Sequence, residues 1–147
     1  MNGRVRDFHA RGARASGAAP FAGVGVGTAF GPVEYKVSAA ANDRYWRAAG
    51  IEHGARGAAF LYPPMAANLT ILAFQTVAPA ALLHTSQRIE CHAAATAPSA
   101  LTVAGTVTGR FERRGREYVE VTTTITDAAD TRLWTSIATF IEAGTGA

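Results

Sequence analysis
A chain of 147 residues with a single cysteine and a formal charge of +3 is long enough for one domain that buries roughly two thirds of its unfolded surface. One cysteine excludes an internal disulfide, and no CxxC or HxxxH spacing offers a structural zinc set, so a reducing, cytoplasmic setting is expected. Arg4, Arg6, Arg11 and Arg14 against Asp7 account for the whole excess charge, and from residue 15 onward ten basic side chains meet ten acidic ones; no basic face remains for a phosphate backbone, and nucleic acid is not an expected partner.

Residues 1–20 are rich in Gly, Ala and Arg and contribute too little apolar surface to join a core, so they read as a disordered leader. The domain is expected over 21–143, with 144–147 as a tail. No apolar run follows the N-terminal arginines, and the Met65 to Ala78 stretch is too short to span a bilayer, so neither a signal peptide nor a membrane segment is read.

Val33, Tyr35 and Val37 alternate with Glu34, Lys36 and Ser38, which predicts an entry strand. Ser38 caps the helix former run "AAANDRYWRAAG", which Gly50 stops; Tyr45 and Trp46 give it an aromatic face, and Asp43 sits four residues before Arg47. Pro63 and Pro64 suit only a first helical turn, so a central helix is predicted from Pro64 to Ala78, ended by Pro79. It is apolar nearly all round and should be buried nearly all round. The second half has the other period: "LLHTSQRIECHA", "SALTVAGTVTGRFERR", "REYVEVTTTITDA" and "TRLWTSIATFIEA" are strand-like runs separated at Pro98, at Arg114-Gly115 and at Asp127 to Asp130. Short links make them an antiparallel meander. The fold class is α+β, one antiparallel sheet wrapped around one long central helix.

This order of elements, with the lead-in "FGPVEYKVS", the helix "YWRAAG", the helix opening "PPM" and the D-x-x-D hairpin before the last strand, resembles the hotdog fold and, within it, the MaoC-like dehydratase and hydratase family, over nearly all of residues 21–143. The resemblance implies a protein that acts on or binds acyl thioesters. The substrate would be an enoyl or 3-hydroxyacyl group carried by coenzyme A or an acyl carrier protein, with no further cofactor and no metal. It also implies a homodimer, or a heterodimer with a related hotdog subunit. Active members carry D-x-N-P-x-H in the loop before the central helix; here that loop reads "GIEHGARGAAFLYPPM", with Ile51 in the place of the aspartate and no Asn-Pro. In this it is closer to the non-catalytic subunits of heterodimeric dehydratases. A thioesterase or isomerase-like reaction on a fatty-acyl or polyketide intermediate is a further alternative.

Such chemistry needs a group to move a proton and donors for the thioester carbonyl. The free amides at the start of the central helix make Met65 N–H the candidate oxyanion donor. Glu52 and His53 in the loop, and His84 at the head of a strand near an expected dimer seam, are the candidate acid–base groups. Asn68 with Tyr62 would suit a thioesterase. An acyl tunnel between subunits would be lined by Tyr45, Trp46, Phe60, Tyr62 and Phe74. Cys91 reads as packing and His92 as exposed, while Arg113, Arg114 and Arg116 crowd a turn where they could meet phosphates or the arm of a carrier protein.

Overall fold
Local rules start each element where the sequence predicts. In the computed structural model, which describes residues 21–51, 59–78 and 81–143, strand β1 (Ala29–Val37) leads into helix α1 (Ala39–Ala48). The Ser38 hydroxyl accepts from Ala41 N at 3.1 Å, Asp43 pairs with Arg47 at 2.8 Å, and Gly50 takes a φ of 69° past the helix end. Helix α2 (Met65–Phe74) follows, then strands β2 (Leu82–Cys91), β3 (Ser99–Arg113), β4 (Arg116–Thr126) and β5 (Arg132–Glu142). The predicted leader and tail, and the loop candidates Glu52 and His53, lie outside the described residues.

The strands form one antiparallel sheet in the order β1-β3-β4-β5-β2. Only β3, β4 and β5 are a meander. They are joined by a two-residue turn at Arg114 and Gly115, both with positive φ, and by a turn in which Asp127 Oδ1 accepts from Ala129 N and Thr131 N at 2.9 Å each. Strand β2 does not neighbour β3, as the short link between them predicts; it sits at the far edge, paired with β5. The reason is reach. Three inter-strand steps come to about 14 Å, and a seven-residue link such as His92 to Pro98 stretches to about 24 Å.

Helix α2 lies against the inner face of this sheet and differs from its predicted form in two ways. It is ten residues long, because the Thr76 hydroxyl takes the Ala73 carbonyl at 2.7 Å and the next amides turn back on Ala73 and Phe74. It is also buried on one side only: Met65, Ala66, Leu69, Thr70, Ala73 and Phe74 are enclosed, while Asn68 is exposed and Ala67, Ile71 and Leu72 are half-buried. The sheet is not closed around the helix. Phe74 sits at the centre of the core, its ring 5.5 Å from Phe30, 5.4 Å from Phe140 and 6.4 Å from Phe21. Fully buried there, it does not line a tunnel, contrary to expectation.

Candidate functional site
A groove forms where the crossing link leaves the sheet. Strand β2 ends at Cys91, and His92 N and Ala93 N both donate to the Leu133 carbonyl of β5, at 2.8 and 3.3 Å. The link then pairs with the segment before α2: Leu61 N donates to Ala95 O at 2.9 Å, Ala97 N donates to Ala59 O at 2.7 Å, and Phe60 bridges to Thr96. Helix α1 fixes that segment from the other side. Asn42, fully buried, donates through Nδ2 to Phe60 O at 2.7 Å and accepts Tyr62 N at 2.9 Å, and Trp46 Nε1 donates to the same Phe60 carbonyl at 2.8 Å. The result is a groove of about 370 Å³ with Trp46, Phe60, Leu61 and Pro63 on one wall and residues 91–95 with Trp134 on the other.

Its lining is mainly aromatic and aliphatic, a surface that suits an acyl chain. Cys91 and His92 bring the protic side chains to it. His92 Nε2 lies 2.8 Å from Thr135 Oγ1, which fixes the ring. Cys91 is exposed in the groove, not packed in the core as its strand position predicts. Strict alternation fails at this point because the chain is leaving the sheet at residues 91 and 92. Away from the groove, the Arg110 guanidinium, hydrogen-bonded to Glu117, is held above the ordinary arginine value.

The expected site residues divide between three places. Trp46 and Phe60 reach the groove, and Tyr62 stands behind them, edge-on to Trp46 at 4.8 Å and stacked on Tyr45 at 6.0 Å. Met65 N–H is not free as an oxyanion donor: it donates to Tyr62 O at 3.0 Å, and Ala66 N and Ala67 N turn back on Pro63 O and Pro64 O. The tandem prolines lack amides of their own but supply carbonyls that take up the next ones. Asn68 lies on the open side of α2, its amide donating to the Tyr45 hydroxyl at 3.1 Å, so it is not joined to Tyr62. His84 is exposed on edge strand β2, its ring 5.2 Å from that of Phe140. Seven residues of extended strand, about 24 Å, separate it from Cys91 at the groove. Asn42 and Trp134 are the site residues that sequence reasoning passed over; Cys91, expected as packing, and His92, expected as exposed and found so, carried no site role there. No group of three or more His, Cys, Asp or Glu side chains placed to hold a metal occurs among the described residues. No helix among them is long and apolar enough to cross a membrane.

The fold is that of the MaoC-like dehydratases and R-hydratases, the hotdog fold. The HadBC (3R-hydroxyacyl-ACP dehydratase) complex of Mycobacterium tuberculosis superposes with a TM-score of 0.68 at 16% identity, over 79% of this chain and 96% of that one. The unliganded R-hydratase of Pseudomonas aeruginosa gives 0.65 at 15% identity, covering 84% of each chain. A MaoC-like dehydratase from Rhodospirillum rubrum gives 0.63 at 17% identity, over 88% of this chain and all of that one. No protein-family model and no curated protein matches the sequence.

Proposed function
We propose that the chain binds the acyl portion of an acyl thioester in the groove between Trp46, Phe60 and Trp134, as a dehydratase- or hydratase-like hotdog protein. The observation that carries this reading is the apolar groove at the start of α2, in a fold shared with a 3R-hydroxyacyl-ACP dehydratase and R-hydratases. The acyl group is enoyl or 3-hydroxyacyl, carried by coenzyme A or a carrier protein. His92, held by Thr135, is the side chain best placed among the described residues to move a proton there.

A second reading has its own support. The segment from Gly50 to Met65 holds Ile51 where the family aspartate falls and no Asn-Pro, and Met65 N–H is already bonded. Both favour a subunit that binds and shapes an acyl channel while a related hotdog partner supplies the acid and base; the HadBC structure of the same fold is likewise that of a complex. The two are separated by incubating the purified protein with crotonyl and longer enoyl thioesters and following loss of the conjugated absorbance. Turnover by the protein alone, abolished in His92→Gln, supports the first. Turnover only with a motif-bearing hotdog partner supports the second. Trp46 and Trp134 report on binding in either case: a saturable fluorescence change with acyl thioester is expected, and its absence would overturn the groove assignment.

A further inference from the structure
The end of the sheet away from the groove carries a second surface, independent of the acyl-binding reading. There the β3–β4 hairpin closes through Arg114 and Gly115, and its last pairs are Phe111 with Tyr118, Glu112 with Glu117 and Arg113 with Arg116. Val119, Val121 and Ile125 mark the buried face of β4, so alternation puts Tyr118 and Arg116 on the outer face, with Phe111 and Arg113 beside them. The Phe111 and Tyr118 rings stack at 5.1 Å and 4°, although Phe111 is 43% exposed. Glu112 and Glu117 fall on the other face, where Glu117 is held by Arg110, whose Nη1 also donates to Val24 O at 2.8 Å and Phe21 O at 3.3 Å. Glu120, one row further along the outer face, accepts from the Thr108 hydroxyl at 3.0 Å. Arg113, Arg114 and Arg116 are exposed and make no ion pair among the described residues.

We propose that this outer face of the hairpin docks an acidic partner protein, with the Phe111–Tyr118 stack as its apolar anchor and the three arginines as its charged rim. The composition is that of an interface: arginine and aromatic residues are enriched where proteins meet, and a guanidinium without a partner takes a carboxylate through two parallel hydrogen bonds. Charge sorting supports it, since Glu112 and Glu117 fall on the inner face, Glu120 is set back a row on the outer face and takes the Thr108 hydroxyl, and the outer tip itself presents cations alone. The other occupants fit less well. A small phosphorylated ligand needs a concave seat, and the hollow at this tip has Glu112 and Glu117 in its wall with Arg110 alone against them, already paired to Glu117 and bonded to the Val24 and Phe21 carbonyls. Nucleic acid needs a longer basic track than three arginines on a domain whose basic and acidic side chains balance with those three counted.

The test uses the full chain, isotope-labelled, titrated with a short poly-glutamate peptide and followed by NMR. Saturable shifts at Arg113, Arg114, Arg116 and the Tyr118 ring are expected, weakening as salt is raised. The double variant Arg113→Glu, Arg116→Glu should lose affinity by about tenfold or more, and Phe111→Ser should lose part of it. Both changes are on exposed side chains, and an unchanged circular dichroism spectrum checks the fold. Arg113→Lys with Arg116→Lys should retain partial binding, because the charge stays and the two-pronged geometry goes. Shifts confined to other surfaces, no shifts at all, or tighter binding of inorganic pyrophosphate or duplex RNA than of the peptide would each overturn the proposal.

Discussion

Asn42 shows how one buried amide can set a site without touching a ligand. It is fully enclosed and satisfied at both ends, by Phe60 O and Tyr62 N, so it ties α1 to the segment that forms one groove wall and leads into α2. Removing it takes one of two donors from the Phe60 carbonyl, which keeps Trp46 Nε1, and leaves the half-buried Tyr62 N–H without its acceptor. An unmet N–H costs about 1–3 kcal/mol. Asn42→Ala should therefore lower the unfolding free energy by about 1–3 kcal/mol, read as a lower urea midpoint at unchanged slope; a loss below about 0.5 kcal/mol, the size of an ordinary surface change, would show that the clamp is unimportant. Asn42→Asp sharpens the test. A buried carboxyl has its pKa raised, so its protonated form, which can still donate to Phe60 O, is favoured in the folded state. Stability relative to the parent should be greatest below the carboxyl's unfolded pKa and fall as pH rises through the folded one. Part of this was legible beforehand. Tyr45 and Trp46 lie three and four residues after Asn42, on its own helix face, and the aromatic face was read correctly; that the amide shares that face follows from the same spacing. What the sequence did not carry was its partner, a carbonyl eighteen residues away.

The elements were legible where local periodicity is strong and obscured where a partner from elsewhere decides. The last three strands stand where alternation put them, because a half-buried strand must show period two; β2, an edge strand, shows none, and β1 starts at Ala29, four residues before its alternating run. Helix α2 was located correctly but overextended, since hydropathy does not reveal that Thr76 would capture a carbonyl of the last turn. The pairing of β1 with β3 turns on a glycine that composition leaves unremarked. Gly105 faces Phe30 in register, and a Cβ there would overlap the Phe30 ring and stand 2.8 Å from the Thr122 carbonyl oxygen. The ring covers the glycine and in turn contacts Phe74 in the core. Gly105→Ala should destabilise by about 1–3 kcal/mol through overpacking. Pairing it with Phe30→Leu, which shortens the obstructing side chain, should make the double variant less unstable than the sum of the singles, as a thermal or urea double-mutant cycle would register. Strict additivity would place the strain somewhere other than this contact.

At the scale of the molecule, the crossing of residues 92–98 is what the sequence concealed and what matters most. A short link was read as adjacency, yet it carries β2 to the far edge and, in doing so, builds the groove wall from residues 91–95. The same crossing leaves β2 with one strand neighbour, β5, among the described residues. Edge strands that stay solitary are usually short, bulged, proline-bearing or charged. Strand β2 runs ten residues without proline, its bulge is confined to His84–Ser86, and Arg88 is paired to Glu90 at 2.8 Å. Leu83 is 48% exposed beside it, and the open side of α2 offers Ala67, Ile71 and Leu72, all half-buried. An apolar helix face and an open strand edge on one domain are surfaces that a second hotdog chain, either a copy of this one or a related subunit, would cover by continuing the sheet, and the expected outcome is such a pair. Light scattering in dilute buffer should give twice the chain mass, or the mass of a one-to-one complex when a related subunit is co-expressed. Leu83→Lys, a change on an exposed side chain, should weaken that association by about tenfold or more while leaving the circular dichroism spectrum unaltered. A compact monomer under both conditions would mean that the edge is tolerated in water, and the open face of α2 would then have to be covered by something other than a hotdog partner.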